Sequence, residues 1–149
     1  MRKWFKHTKN EKGLTLVELL AVVVILGIIA AIAVPSIGGI IENSKKDAAI
    51  SNAQQVLSAA RLYAASGGET ATPVLNGSGI SEYHEDITNP WGNGAVDYTV
   101  SFDETVPKIS LSFEDGKCDV GYDSDGNAEP INATDLSNEG RGACYEPSN

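Results

Sequence analysis

Gly13-Leu14-Thr15-Leu16-Val17-Glu18-Leu19-Leu20 is the stretch on which the reading of this 149-residue chain turns. Before it lie twelve residues carrying Arg2, Lys3, Lys6, Lys9 and Lys12 against one acid, Glu11. After it the chain stays apolar and uncharged from Leu19 to Pro35. A basic stub followed by a hydrophobic run ordinarily reads as a secretory signal peptide, cut after the run. Here the small residue, Gly13, stands ahead of the run, so a cut at Gly13 would leave the hydrophobic segment on the mature protein. The run is about twenty residues long, enough to cross roughly 30 Å of hydrocarbon. Basic residues ahead of a span stay on the cytoplasmic side, which predicts that everything after the span is exported. An ordinary single-pass anchor would explain the stub and the run, but not Glu18.

Glu18 carries the sharpest chemistry. An ionisable group at membrane depth is expensive and normally needs a partner. A cut after Gly13 would create a positive amine on Leu14, one helical turn from Glu18. The pair could form within one subunit, or between Glu18 of an incoming subunit and the Leu14 amine of its neighbour. In the second case the acid is neutralised only in the correct axial register, and a burial penalty becomes an assembly rule.

The segment Gly13 to Leu20, with the later Pro35, resembles the class III signal of type IV prepilins and pseudopilins. That family most often has Phe where this chain has Leu14. The resemblance covers roughly the first fifty-five residues and implies cleavage between Gly13 and Leu14 with methylation of the Leu14 amine. It also implies the inter-subunit role for Glu18. Implied partners are copies of the chain itself, the membrane, a prepilin peptidase, and an assembly ATPase with its platform protein. The Lys- and acid-rich composition and the loop style point toward a type IV pilin of a Gram-positive bacterium. A pseudopilin of a secretion or competence DNA-uptake system shares the same assembly chemistry and stays open. A monomeric anchored binding domain is the contrasting class, in which Glu18 would be dispensable.

Charge sharpens the division. The whole chain carries −9; the leader contributes +4, so the chain from Leu14 carries −13. With no basic patch after Lys46, direct nucleic-acid binding is not expected, since phosphate neutralisation needs clustered Lys or Arg.

Past the span, Ala49, Ala53, Val56, Leu57, Ala60 and Tyr63 or Ala64 fall at helical spacing and form one stripe. A helix from Leu14 to about Ser66 is predicted, ended by Gly67-Gly68, with a Glu42–Lys46 pair at the favourable i, i+4 spacing. Pro35 lies inside it and removes a backbone donor, which bends the helix or opens it locally. A kink in a membrane helix, or a segment that extends when subunits pack, both follow from it. Residues 67–94 read as loop, and Asn89-Pro90-Trp91-Gly92-Asn93-Gly94 as a turn that anchors Trp91 against a sheet. That turn resembles the Pro-Trp-Gly-Asn turn of major pseudopilins and many Gram-positive pilins.

Alternation over 95–102 and 108–113 gives two strands. Asp115-Gly116 is a turn signal, and a third strand over 117–122 follows. The expected fold class is α+β: a long N-terminal helix, membrane-spanning in its first half and amphipathic in its second, on a small antiparallel sheet of three or four strands, a pilin lollipop. The segments are a cleaved leader 1–13, a membrane and filament-core helix 14–41, and a head 42–149. The head comprises helix 42–66, loop 67–94, β-meander 95–122 and a C-terminal region 123–149. The expected destination is the cell membrane as precursor, then a surface filament.

Cys118 and Cys144 lie in the exported part, where oxidising surroundings and an even count favour a disulfide. Two unrelated thiols or a metal pair are the alternatives; with only His84 left in the mature chain, no zinc set is complete. Asp119, Asp123, Asp125 and Asn127 place oxygen donors at alternating positions, as a calcium loop would. The pattern departs from an EF-hand at Ala128 and lacks a closing glutamate, so water-facing acidic turns are the competing reading. Some major pseudopilins do hold calcium in a C-terminal loop. No other cofactor is expected, and no phosphate loop, nucleophile motif or clustered catalytic set suggests an enzyme.

Overall fold

The computed structural model describes residues 15–75, 79–114 and 117–146. Gly13, Leu14 and the Asp115-Gly116 turn signal lie outside the described residues. Backbone contacts divide the chain between Gly39 and Ile40 into two compact units.

In the first unit, helix α1 starts at Leu16 and runs on through Pro35; its full extent is Leu16–Ala65. The large apolar side chains from Leu16 to Ile37 are exposed. A helix apolar all round is stable only in hydrocarbon or against other apolar helices. By length and composition it is able to cross a membrane. Around Gly27, Gly38 and Gly39 there is open space where a side chain would sit.

In the second unit, α1 becomes one-sided. Ala49, Ile50, Ala53, Val56, Leu57, Ala59 and Ala60 are buried, which is the expected stripe widened by Ile50 and Ala59. The helix closes on a Schellman motif. Gly67, at φ +90°, donates to the Ala64 carbonyl and Gly68 to the Tyr63 carbonyl. Gly68 lies so close to the Tyr63 ring that an added Cβ would sit 2.4 Å from it.

Against that stripe lies an antiparallel sheet of six strands. These are β1 (Val74–Leu75), β2 (Val96–Asp103), β3 (Val106–Phe113), β4 (Asp119–Val120), β5 (Ile131–Asn132) and β6 (Cys144–Tyr145). The order is β1-β2-β3-β4-β6, with β5 also on β3. Only β2 and β3 are long. They pair over their whole length from Val96↔Phe113 to Asp103↔Val106, around the two-residue turn Glu104-Thr105. Tyr98, Val100, Ile109, Leu111 and Phe113 point into the core with Val120, Ile80 and Leu136.

The α+β class holds, but the sheet is wider than three or four strands and the third strand is far shorter than 117–122. Gly121 is the reason. It adopts φ +75°, and an added Cβ would lie 2.3 Å from the Ile109 carbonyl. Only glycine tolerates that backbone at that approach, so the chain leaves the sheet at Val120. The C-terminal region, expected to be irregular, contains helix α2 (Ala133–Glu139), capped by Asn132, whose Oδ1 accepts from the Thr134 and Asp135 amides.

Candidate assembly and processing site

Thr15 and Glu18 close the start of α1 on each other. The Thr15 amide and hydroxyl both donate to Glu18 Oε2, each at 3.2 Å. The Glu18 amide donates back to Thr15 Oγ1, also at 3.2 Å. Thr15 is the residue before the helix and Glu18 the third within it, so this is a capping box. It satisfies amides that the first helical turn leaves unpaired, and it places a carboxylate at the positive end of the helix dipole. Both Thr15 bonds land on one oxygen. Glu18 Oε1 keeps no partner among the described residues. The box therefore holds the carboxylate in place and leaves one acceptor open at the head of the span.

Thr15 was not among the candidate residues, although Thr-x-x-Glu before an apolar run is a recognisable sequence pattern. Its signal was hidden because Glu18 already had an explanation in an amine partner. Gly13 and Leu14, between which cleavage is expected, lie outside the described residues. Pro35 sits within α1.

In the second unit the C-terminal region is fastened at three points, one beside β4 and two on α1. Cys118 and Cys144 form a disulfide across Cα atoms 4.6 Å apart, next to the β4–β6 pair Val120↔Cys144. Arg141 donates from Nε and Nη2 to the two carboxylate oxygens of Asp47, at 2.6 and 2.8 Å. Lys46 pairs with Glu146. The expected Glu42–Lys46 pair is thus replaced: Glu42 accepts from Trp91 Nε1 at 3.0 Å, while Lys46 turns to the C-terminal strand. Tertiary partners outcompete an i, i+4 contact worth a few tenths of a kcal/mol. Trp91 itself packs on Phe113, ring centroids 5.6 Å apart. Its amide donates to Asn89 Oδ1, and Asn89 Nδ2 donates to the Glu114 carbonyl, so the loop is pinned to the end of β3.

Hydrogen bonding to Arg141 holds the Asp47 carboxyl below its ordinary range, and Lys46 does the same for Glu146. Arg141 and Asp47 are both exposed, where solvent screening keeps the contribution small; Lys46 is largely covered, while its partner Glu146 is exposed. Burial pushes the Asp119 carboxyl up, although the Phe113 amide donates to it.

Of the four oxygen-bearing candidates for calcium, Asp123, Asp125 and Asn127 share one hydrogen-bonded turn. Asp123 Oδ1 accepts from the Asp125 and Asn127 amides at 2.9 and 2.8 Å, and Asn127 Nδ2 reaches Oδ2 at 3.1 Å. Those donors, Asn127 first, lower the Asp123 carboxyl. Asp123 thus shapes its own turn, and Asp119 faces β3. Among the described residues no group of three or more His, Cys, Asp or Glu side chains is gathered for a metal ion.

Residues 8–34 match the family described as Prokaryotic N-terminal methylation motif. The match spans the end of the basic stub, the Gly13-Leu14 junction, Glu18 and most of the apolar run, and it identifies a class III signal of the type IV pilin and pseudopilin kind. That signal belongs to structural subunits rather than to an enzyme family. Comparison with curated proteins and with solved structures found no match.

Proposed function

We propose that the chain is the structural subunit of a type IV pilus-like surface filament, a protein with no catalytic role of its own. Prepilin peptidase cuts between Gly13 and Leu14 and the Leu14 amine is methylated. The precursor sits in the cell membrane with its head outside, and an assembly ATPase with its platform protein moves it into a helical homopolymer. The observation that carries this reading is the capping box with its open Glu18 Oε1 at the start of an uncovered apolar helix. It offers an acceptor to the Leu14 amine of a neighbouring copy without giving up Thr15. The apolar surface from Leu16 to Ile37 is removed from lipid only when copies of α1 pack together, with Pro35 the place where the helix can yield.

Replacing Glu18 by Ala tests it. Losing a costly group makes the span more favourable, so membrane levels should hold while filament yield collapses. Mass spectrometry of filaments should find chains beginning at Leu14 and one methyl heavier. Normal filaments from Glu18→Ala, or chains still starting at Met1, would sink the proposal. The Pro90-Trp91-Gly92-Asn93 turn, which resembles that of major pseudopilins as well as of pilins, keeps a second reading open, a pseudopilin building a short secretion or competence fibre; long filaments in electron micrographs would argue against it.

A further inference from the structure

An open groove runs beside α1 in the head. Gln55, Ser58, Ala59 and Leu62 of α1 form one wall, and Glu82, Tyr83, His84 and Glu85 of the following loop form the other, enclosing about 530 Å³. Few large apolar side chains of the second unit are exposed, and two of them, Leu62 and Tyr83, line this groove. Its loop wall is preformed. His84 Nδ1 donates to the Glu85 carbonyl at 2.6 Å, which leaves Nε2 to accept from the Tyr98 hydroxyl at 2.9 Å. The Tyr83 hydroxyl is tied to Ser66 Oγ at 2.9 Å, and its ring meets Tyr63 edge-on. Glu82 and Glu85 on the rim take part in no ion pair among the described residues.

The cations of the head are few. Lys46, Lys108 and Arg141 are paired with Glu146, Asp103 and Asp47. Lys117 lies in the field of Glu146. Arg61 precedes Leu62 on α1. Lys45 and Arg61 take part in no ion pair among the described residues; of the two, Lys45 stands about 26 Å from Leu62 along α1 at 1.5 Å per residue, too far to serve its own groove.

We infer that this groove is where a second copy of the chain docks, bringing its Lys45 to Glu82 and Glu85 and covering Leu62 and Tyr83. The inference rests on the filament reading above. Copies inserted in one membrane share an orientation, so Lys45 of one meets the groove of the next while its own groove stays open. A contact between two different patches is heterologous and propagates along a helical fibre instead of closing on a pair. Opposite charges at the rim would set the register of docking.

Zero-length carbodiimide coupling of filaments assembled from mixed light and heavy isotope-labelled full-length subunits tests this directly. A Lys45–Glu82 or Lys45–Glu85 peptide joining a light to a heavy chain is expected. Links from Lys45 confined to its own chain, or Glu82 and Glu85 joined to a different protein or to another lysine only, would overturn the docking. Charge reversal gives an independent readout. Lys45→Glu or Glu85→Lys alone should lower filament yield about tenfold, and the two together should restore it. Membrane levels should be unchanged throughout. Wild-type filaments with yields indifferent to either reversal, or with no recovery in the double variant, defeat the docking alone. A wild-type chain that forms no filament defeats the filament reading and the docking with it.

Discussion

Replacing Cys144 by alanine removes the covalent link that holds the C-terminal region, and the structure says how much else is there to hold it. Between Gly121 and Glu146 only Gly121, Leu136 and Ala143 are buried, and the strands β5 and β6 are two residues each. Burying Leu136 contributes about 2 kcal/mol; of the two pairs to α1, Arg141–Asp47 is solvent-exposed and Lys46–Glu146 is exposed on its Glu146 side. Closing a loop across a sequence separation of 26 contributes about 3.5 kcal/mol if the effect is entropic in the unfolded chain. For a domain of this size that is a fall in melting temperature of about 10–20 °C. The loss should also be local before it is global. Hydrogen exchange on the full chain in detergent should show amides of α2 and β6 losing protection, while the β2–β3 ladder keeps its own. Limited proteolysis should cut after Tyr122. Wild-type protection of α2 in Cys144→Ala would refute the reasoning, since it would mean that Leu136 and the ion pairs suffice.

Acid should weaken the same region through Asp47 and Glu146. Their folded carboxyls lie below the ordinary 3.8 and 4.5, so the stability they contribute is present above those values and is lost as pH falls through the lowered ones. Asp119, raised by burial, runs the other way: protonation relieves it, so it does not add to the acid loss. Asp47→Asn should be less stable than wild type near neutrality, with the gap in urea midpoint closing below pH 3.8; a gap independent of pH would contradict the Arg141 pairing. At the β2–β3 turn, Glu104 holds φ +57°, a left-handed conformation that costs a side-chain-bearing residue about 1 kcal/mol. Glu104→Gly should therefore raise stability by up to about 1 kcal/mol in thermal unfolding, and a loss would show that the Glu104 side chain has a role there.

The sequence made legible those parts of the molecule where one strong pattern has one cause. Apolar spacing at Ala49, Ala53, Val56 and Leu57 requires a buried helical face, and alternation over 96–102 and 109–113 requires a half-buried pair of strands. Two cysteines, an even count, pointed to the disulfide that Cys118 and Cys144 form. What stayed hidden depends on contacts between distant residues. Val74–Leu75 is too short to show alternation, and it exists because β2 offers an edge at Thr99 and Val100. Gly121 read as one glycine among fifteen, yet its approach to the Ile109 carbonyl ends β4. Glu42 and Lys46 looked like partners because spacing alone joined them, and each found a better one in Trp91 and Glu146. The oxygens of Asp119, Asp123, Asp125 and Asn127 suggested a cation, but their spacing did not show that Asp123 Oδ1 accepts from the Asp125 and Asn127 amides.

The hydrogen bond from Trp91 to Glu42 also makes the protein its own optical probe. The chain has two tryptophans, Trp4 and Trp91, and cutting at Gly13 discards the first. A mature subunit would then emit from a single indole, lodged between α1 and β3 and hydrogen-bonded to a carboxylate. Loss of the leader would be read as the disappearance of one emitter, and detachment of the Asn89-to-Asn93 turn as a red shift of the one that remains.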